Sequence, residues 1–518
     1  MKVIKSKEVD FYPSLINDYI SGELNKNGII DWDYSESQVL KNAKNRNFSI
    51  LQRQVLVSRL KVQYKNCQLS KAEEKSLSLL SEDTSYTITT GHQLNLLGGA
   101  QFFYTKILDV IRFSSKLSNT SEYNFVPIFW MATEDHDYEE ISDVSLFGKK
   151  ISCPGENRGP VGRIPRTYFI EFLREVESVL GSDDSFKEIK KIISDSFNNN
   201  KTLAEITRSF VRSLFSEQGL LIIDGDDEIL KKQFSKIAIQ EVNNQTSYKA
   251  VNKQVLLLSN YKIQVKPRDI NLFYIENNLR ERILKTKVGF STVNNSQNWT
   301  SNSFKDFAES NASSLSPNVL LRPLYQELIL PNVAYIGGAG EISYWLELAP
   351  MFKDFDVQFP LPIVRTSYFV VAEKLVNWLE NNGIESKELF GNKDKLLNDF
   401  IKSIGTSETS LEKEKEELKE FYKKLLKKAK LISTDLEKVV IGEEKRAFNA
   451  LINVQKRFVN AEKKNHEQTI LKLENIISKF FPNGVPMERL NSFIPLIVRG
   501  DFEFPENEYL FKGEIIIV

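Results

Sequence analysis

The stretch YTITTGHQLNLLGGAQFFYTKILDVIRFSSKL, residues 86–117, decides how this chain is read. It passes from a β-branched run, residues 86–90, through Gly91 into FFYTKILDVIRFSSKL, where apolar residues recur three and four apart. The first pattern suits a strand and the second an amphipathic helix, so the order is strand, glycine turn, helix. The next segment, FVPIFWMA (125–132), is nearly continuous in apolar residues, as a strand covered on both faces requires. GLLIIDGDD (219–227) repeats the arrangement, an apolar run that delivers acidic residues at its end. Three such units imply an α/β fold, a parallel sheet with crossover helices.

Residues 1–84 read as a helical flank, because SLINDYI, the segment around 50–60 and KAEEKSLSLL carry helical spacing. The sheet-bearing core takes 85–145, 215–250 and 311–372. Residues 146–214 pass from Gly/Pro-rich CPGENRGPVGRIPR into helical sequence, too long for a simple crossover, and form a first insertion. Residues 251–310 form a second, in which VLLLSNYKIQV and NLFYIENNLRERIL look strand-rich. From 373 to 484 the character changes. Leu411, Leu418, Leu425, Ile432 and Val439 recur every seven residues, with Tyr422, Ala429 and Leu436 four residues after three of them. After IGEE a partner stretch places Ala447, Leu451, Val454, Phe458 and Ala461 at alternating spacings, with a phase shift near His466. This predicts two long helices, folded back as an antiparallel hairpin or paired between subunits, and stopped by PNG at 482–484. The remaining segment, 485–518, ends in strand-like GEIIIV and is expected to return to the core.

At 518 residues the chain exceeds one ordinary core. Lys plus Arg and Asp plus Glu are each 69, so no charge surplus recommends a nucleic acid partner. Two cysteines, Cys67 and Cys153, make no disulfide framework and fit a reducing cytoplasm. No signal-like N-terminus and no run near about 18 apolar residues appear, so the expectation is a cytoplasmic protein without a membrane span.

Ligands of open parallel sheets gather beyond the carboxyl ends of strands. Thr90, Gly91, His92 and Gln93, with Asn95 just beyond, occupy the first such position. Gly91 allows close backbone approach, and the helix behind it offers amides to a phosphate or oxyanion; a turn glycine beside a capping histidine is the plainer alternative. Glu134, Asp135, His136 and Asp137 follow the second run and can accept a proton, hold an amine or bind a divalent ion, or form a polar loop with Asp capping YEEI. His92, His136 and a carboxylate match no recognised zinc spacing, and no metal is assigned. In VAYIGGAGEISYW, Gly337 and Gly338 precede Glu341 and Tyr344. That cluster can cradle an anion or contact a ribose, although tight helix–sheet packing explains it nearly as well. Arg322, with Gln326 four residues on, and Arg365 are cations in apolar surroundings, which suits an anionic ligand or a buried ion pair.

At TTGHQ, FVPIFWMATEDHDYEEI, SPNVLLRPLYQELILPNVAYIGGAGEISYW and FPNGVPMERL the chain resembles the bacillithiol-biosynthesis cysteine-adding enzymes, the cysteine ligases of low-GC Gram-positive bacteria and Bacteroidetes. The resemblance covers nearly the whole chain. It implies addition of L-cysteine to glucosaminyl-malate with amide-bond formation, and ATP as the source of activation. It also implies a Rossmann-like core similar to class I aminoacyl-tRNA synthetases, two connecting-peptide insertions and a coiled coil that makes a homodimer. In that comparison Gly91 and His92 fill the last two places of the H-I-G-H signature that contacts ATP phosphates, while Thr89 replaces its first histidine. The K-M-S-K-S signature is absent. The implied reaction needs a base for the glucosamine amine, for which Glu134, Asp135 or His136 is placed, and cations for the malate carboxylates, for which Arg322 or Arg365 is placed. A non-catalytic binding or assembly module for the thiol pathway is the competing reading, favoured by the missing lysine signature and opposed by the charge at EDHD.

Overall fold

Five apolar runs pair as an all-parallel sheet in the computed structural model, which describes residues 1–156, 159–404, 410–499 and 510–518. The strands are β1 (Ser85–His92), β2 (Asn124–Met131), β3 (Leu221–Asp224), β4 (Asn332–Gly337) and β5 (Leu361–Val364). Their spatial order is β5-β4-β1-β2-β3, so the chain builds outward from β1 on one side and then crosses to the other. The order reverses between β1 and β4, and the crevice at their carboxyl ends is the place where such sheets bind ligands. Along β2, Val126, Ile128 and Trp130 enter one apolar cluster while Phe129 and Met131 enter another. A strand buried on both faces explains why its sequence shows no alternation.

The expected glycine turn after residue 90 is corrected. Gly91 and His92 are the last two residues of β1, paired with Trp130 and Met131. The turn comes at Gly98 and Gly99, whose φ values of 76° and 64° lie in the left-handed region that glycine adopts without strain. Helix α1 (Gln101–Thr120) starts only there, and its first amide donates to Asn491 O at 2.7 Å, so it offers no free N-terminus to His92. Its buried face carries Phe103, Lys106, Ile107, Val110 and Leu117.

β4 is fixed to β1 by a buried polar chain. Thr87 and Thr89 donate to Asn332 Oδ1 at 3.1 and 2.8 Å, and Asn332 Nδ2 donates to Glu327 Oε1 at 2.8 Å. Glu327 lies in α2 (Leu321–Ile329), 3.7 Å from Arg46. Burial pushes its carboxyl up to about 7 against the pull of Arg46. The folded state therefore holds a proton that the unfolded chain releases at lower pH. This contribution is complete below the ordinary carboxylate range and is lost as pH rises through about 7. In thermal unfolding, Glu327→Gln should lose less stability between pH 5 and pH 8 than the natural chain does.

Around the expected first insertion lie a hairpin, Asp143–Leu146 with Lys149–Ser152, that begins before residue 146, and the helices Ile170–Leu180, Lys187–Asn198 and Leu203–Phe215. Asn157 and Arg158 of its Gly/Pro-rich segment lie outside the described residues. In the second, VLLLS is not strand: it ends the helix Thr246–Leu257. The strands Leu272–Glu276, Leu279–Lys285, Phe290–Thr292, Asn298–Trp299 and Leu315–Pro317 form a separate antiparallel sheet. The chain end, Glu514–Ile517, pairs in parallel with Ser367–Phe369 in a small sheet and does not join the five-stranded one. Residues 500–509 of the predicted C-terminal segment lie outside the described residues.

Val3–Phe369 with Glu488–Ile517 forms one compact unit, and Val370–Met487 forms a second that is helical throughout its described elements. Here α3 (Glu412–Lys430) packs on α4 (Thr434–Asn465), followed by α5 (Glu467–Phe480). The hairpin is present, but the predicted heptad is broken between its members. Leu431, Ile432 and Ser433 make the turn, so Leu436 and Val439 belong to the second helix and IGEE lies inside it. Leu431 and Ile432 are 87 and 72% exposed, as a turn tip requires. The phase shift near His466 is the break between α4 and α5.

Candidate active site

A cavity of about 660 Å³ opens at the carboxyl ends of β1, β2 and β4, within the range of small-molecule sites. Gly91 and His92 from β1, Thr133–Asp135 beyond β2, Tyr335 from β4 and Lys106 from α1 line it. The helix after β4, Ala339–Asp354, contributes Glu341 and Tyr344, and the expected second insertion contributes Gln264, Val265, Lys266, Arg268, Phe273 and Arg280.

The floor is a closed ring of hydrogen bonds across the β1–β4 crevice. Gly91 N donates to Tyr335 Oη at 3.2 Å, and Lys106 Nζ donates to Gly91 O at 2.6 Å. Lys106 also donates to Glu341 Oε2 at 2.9 Å, and Tyr335 Oη donates to Glu341 Oε1 at 3.0 Å. A Cβ at position 91 would stand 3.1 Å from Tyr335 Oη and 3.6 Å from Arg322 Nη1, so glycine serves close approach here rather than a turn. His92 rests against Phe102 and Phe103, each ring 5.2 Å away. Burial, with Lys106 beside it, pushes its imidazole down to about 3, so it works as a neutral donor and acceptor.

Glu341 is the third residue of its helix, and its carboxylate accepts from Gly338 N at 2.9 Å. The helix end is thus capped by its own negative charge and repels an anion, which corrects the cradle expected at Gly337 and Gly338. Neither glycine lines the cavity; a Cβ on Gly337 would meet Glu341, Ile342 and Tyr335 side chains at 3.1 Å, so packing explains it. Burial pushes the Glu341 carboxyl up, but Lys106 and the Gly338 amide outweigh it and hold it below the usual range.

EDHD divides. Glu134 is buried 2.6 Å from Lys231, which also meets Asp226 at 3.0 Å. Burial raises the Glu134 carboxyl against the opposing Lys231 charge. Asp135 accepts from Gln93 Nε2 at 2.7 Å and from the His136 amide at 2.7 Å, and faces Arg280 at 3.5 Å. Burial raises it, yet the bonds from His136 and Gln93 and the Arg280 charge win and hold it far below the usual range, too weak a base for an amine. His136 Nδ1 accepts from Arg280 Nη1 at 2.9 Å, and Asp137 caps the helix Tyr138–Ile141. Neither side chain lines the cavity, so His136 and Asp137 are corrected to supporting roles.

Four further expectations change. Thr90 is fully buried and donates to Ile336 O at 2.7 Å, tying β1 to β4. Asn95 lies outside the cavity and donates to Glu140 O at 2.9 Å. Gln326 is fully buried behind Arg322, accepting from its Nη1 at 3.1 Å. Arg365 leaves the site altogether: its Nη1 and Nη2 donate to Glu488 at 2.9 and 2.7 Å in a buried pair. Arg322 does line the cavity, within 6.0 Å of Trp130, Tyr335 and Trp345, and its Nη2 is buried without a hydrogen-bond partner.

The N-terminal Rossmann-like domain model of bacillithiol biosynthesis BshC matches residues 1–366, and the C-terminal coiled-coil domain model of the same family matches residues 368–507. The chain belongs to the BshC family of bacillithiol biosynthesis. It is 37% identical to a Flavobacterium johnsoniae protein over 98% of this chain and 94% of that one. With a Flavobacterium psychrophilum protein the identity is 40%, over 88% and 86%, and with one from Cytophaga hutchinsonii 33%, over 89% and 86%. All three carry the name "Putative cysteine ligase BshC". Membership makes the chain an enzyme of the ligase class.

Residue patterns missed several members of the site. Lys106 is a lysine on the buried stripe of an apolar helix, a signal that was present in FFYTKILDV. Asp226 in GLLIIDGDD and its partner Lys231 complete the Glu134 pair, and Arg280 arrives from the second insertion. Glu140 lines the cavity and makes no ion pair or side-chain hydrogen bond among the described residues. Glu140 is itself exposed, and partial desolvation at the cavity with the nearby charges of Asp135, Asp137 and Glu341 pushes its carboxyl up.

Proposed function

We propose that this chain joins L-cysteine to glucosaminyl-malate in the last step of bacillithiol formation, at the switch-point cavity and with ATP as activating cosubstrate. Family membership and the relatives' names support the cysteine ligase reading. The observation that carries it to this cavity is the coexistence of an unpaired carboxylate, Glu140, with an unpartnered buried guanidinium nitrogen on Arg322.

The residues fit an anionic cosubstrate because Arg322 lines the cavity and its buried Nη2 lacks a partner. The neutral His92 and Arg322 would hold it. ATP, when bound, would supply the phosphoryl or adenylyl group that turns one oxygen of the cysteine carboxylate into a leaving group. Glu140 accepts the proton from the substrate ammonium, its raised carboxyl being better matched to an amine than that of Asp135. The freed nitrogen attacks the activated carbonyl carbon; the C–N bond forms and the bond from that carbon to the activating group breaks. Lys106 and Tyr335 keep Gly91 in place while this occurs. Incubating the full chain with all three substrates should give the amide product by mass spectrometry, and omission of ATP should abolish it. Absence of product under every condition would favour the assembly-module reading.

The proposal extends to a homodimer through the helical hairpin. Leu436, Val439, Val454 and Phe458 share one face of α4 and all remain exposed, an apolar stripe that a second hairpin would cover. Light scattering should give twice the 59.7 kDa chain mass, and Val439→Glu with Phe458→Glu should give the single mass. A natural chain that runs as a monomer at micromolar concentration would contradict this.

A further inference from the structure

The cavity wall contains a strap whose cationic side chains have no ion-pair partner among the described residues. Residues 264–268, QVKPR, have no regular secondary structure, and exposure alternates so that Gln264, Lys266 and Arg268 are exposed while Val265 and Pro267 are half-buried. All but Pro267 line the cavity. Neither Lys266 nor Arg268 makes an ion pair or a side-chain hydrogen bond among the described residues. The inner carboxylates, by contrast, already have cations: Glu134 has Lys231, Asp135 has Arg280 and Glu341 has Lys106. Cationic charge is therefore in surplus at the strap.

The strap is held at both ends. Gln264 N and Val265 N donate to the two oxygens of Glu347, at 2.8 and 3.0 Å, and Glu347 is fully buried. Arg268 N donates to Asn271 Oδ1 at 3.2 Å, and Asn271 Nδ2 returns a bond to Arg268 O at 2.7 Å. A buried carboxylate spent on two consecutive amides of an irregular segment is costly unless the position of that segment matters. With the backbone fixed, two long cationic side chains reach the ligand with less conformational freedom to lose.

We propose that Lys266 and Arg268 form an anion-recognising rim that selects a substrate carrying two negative charges at the end remote from the reacting amine, with Glu347 as the positioning residue of the rim. This rests on the ligase reading above. Two adjacent carboxylates and the terminal phosphates of a nucleotide share the required chemistry, and planar Arg268 suits either by a bidentate contact.

Steady-state kinetics and equilibrium titration on the full chain separate the possibilities. In the Lys266→Ala, Arg268→Ala double variant, altered only at exposed positions, the KM and Kd for glucosaminyl-malate should rise about tenfold with kcat within about twofold. Preference over methyl glucosaminide, which lacks the carboxylates, should collapse, and the KM for ATP should hold. A rise for ATP alone would keep the rim and transfer it to phosphates; unchanged values for both ligands would overturn it. Glu347→Gln should raise the same KM with kcat retained, and should add nothing in the double-variant background. An additive or kcat-centred effect would show a merely structural role. If the natural chain binds glucosaminyl-malate through the rim yet forms no product, the ligase reading fails while the rim stands. If it turns over and the double variant binds equally well, the rim alone fails.

Discussion

Glu140→Gln lowers kcat about 100-fold or more, with the KM for glucosaminyl-malate little changed and the melting temperature unmoved. The substitution removes only the ability to take a proton, because no described residue depends on that carboxylate for a hydrogen bond or ion pair. The pH dependence gives the sharper signature. Partial desolvation at the cavity and the charges of Asp135, Asp137 and Glu341 raise the Glu140 carboxyl, so activity in the natural chain should fall as pH drops through a midpoint above the ordinary carboxylate range. That acidic limb should vanish in Glu140→Gln, whereas Asp137→Asn should move it to lower pH. Retention of the limb in Glu140→Gln would assign the proton to another group.

Arg365→Met destabilises the protein by about 3–5 kcal/mol, read from the denaturant midpoint, because it strands a buried charge. Glu488 is fully buried and receives both guanidinium nitrogens, as well as the Tyr368 amide at 3.1 Å. Glu488→Gln is costly for the reciprocal reason. Arg365→Met with Glu488→Leu should lose less than the sum of the two single changes, since it removes both charges together. Equal midpoints for Arg365→Met and the natural chain would return Arg365 to the list of ligand-binding candidates.

The sheet was legible because burial on both faces leaves a mark in one segment at a time: Val126, Ile128 and Trp130 serve one side of β2, Phe129 and Met131 the other. Gly91 was misread because a glycine after a β-branched run ordinarily announces a turn. Its actual reason is Tyr335, far away in sequence on β4, and no local pattern carries that. The hairpin turn at 431–433 was hidden for a similar reason. Leu425, Ile432 and Val439 keep heptad spacing straight through it, so periodicity alone could not locate the break.

The site was legible as a region and not as an arrangement. EDHD and TTGH do meet at one cavity, since strand ends of a parallel sheet converge. Which of their charges are spent on neighbours was not in the local sequence. Lys231 consumes Glu134, Arg280 consumes Asp135 and Glu488 consumes Arg365, each from a distant segment. Among the described residues that line the cavity, Glu140, Lys266, Arg268 and the Nη2 of Arg322 remain unspent, and of these only Arg322 stood out beforehand.

The most direct test is a crystal structure of the full chain with glucosaminyl-malate bound. The account predicts ligand density in the switch-point cavity, with the glucosamine nitrogen toward Glu140 and the malate carboxylates toward Lys266 and Arg268. Density for the ligand anywhere outside this cavity, or with the amine turned away from Glu140, would contradict it.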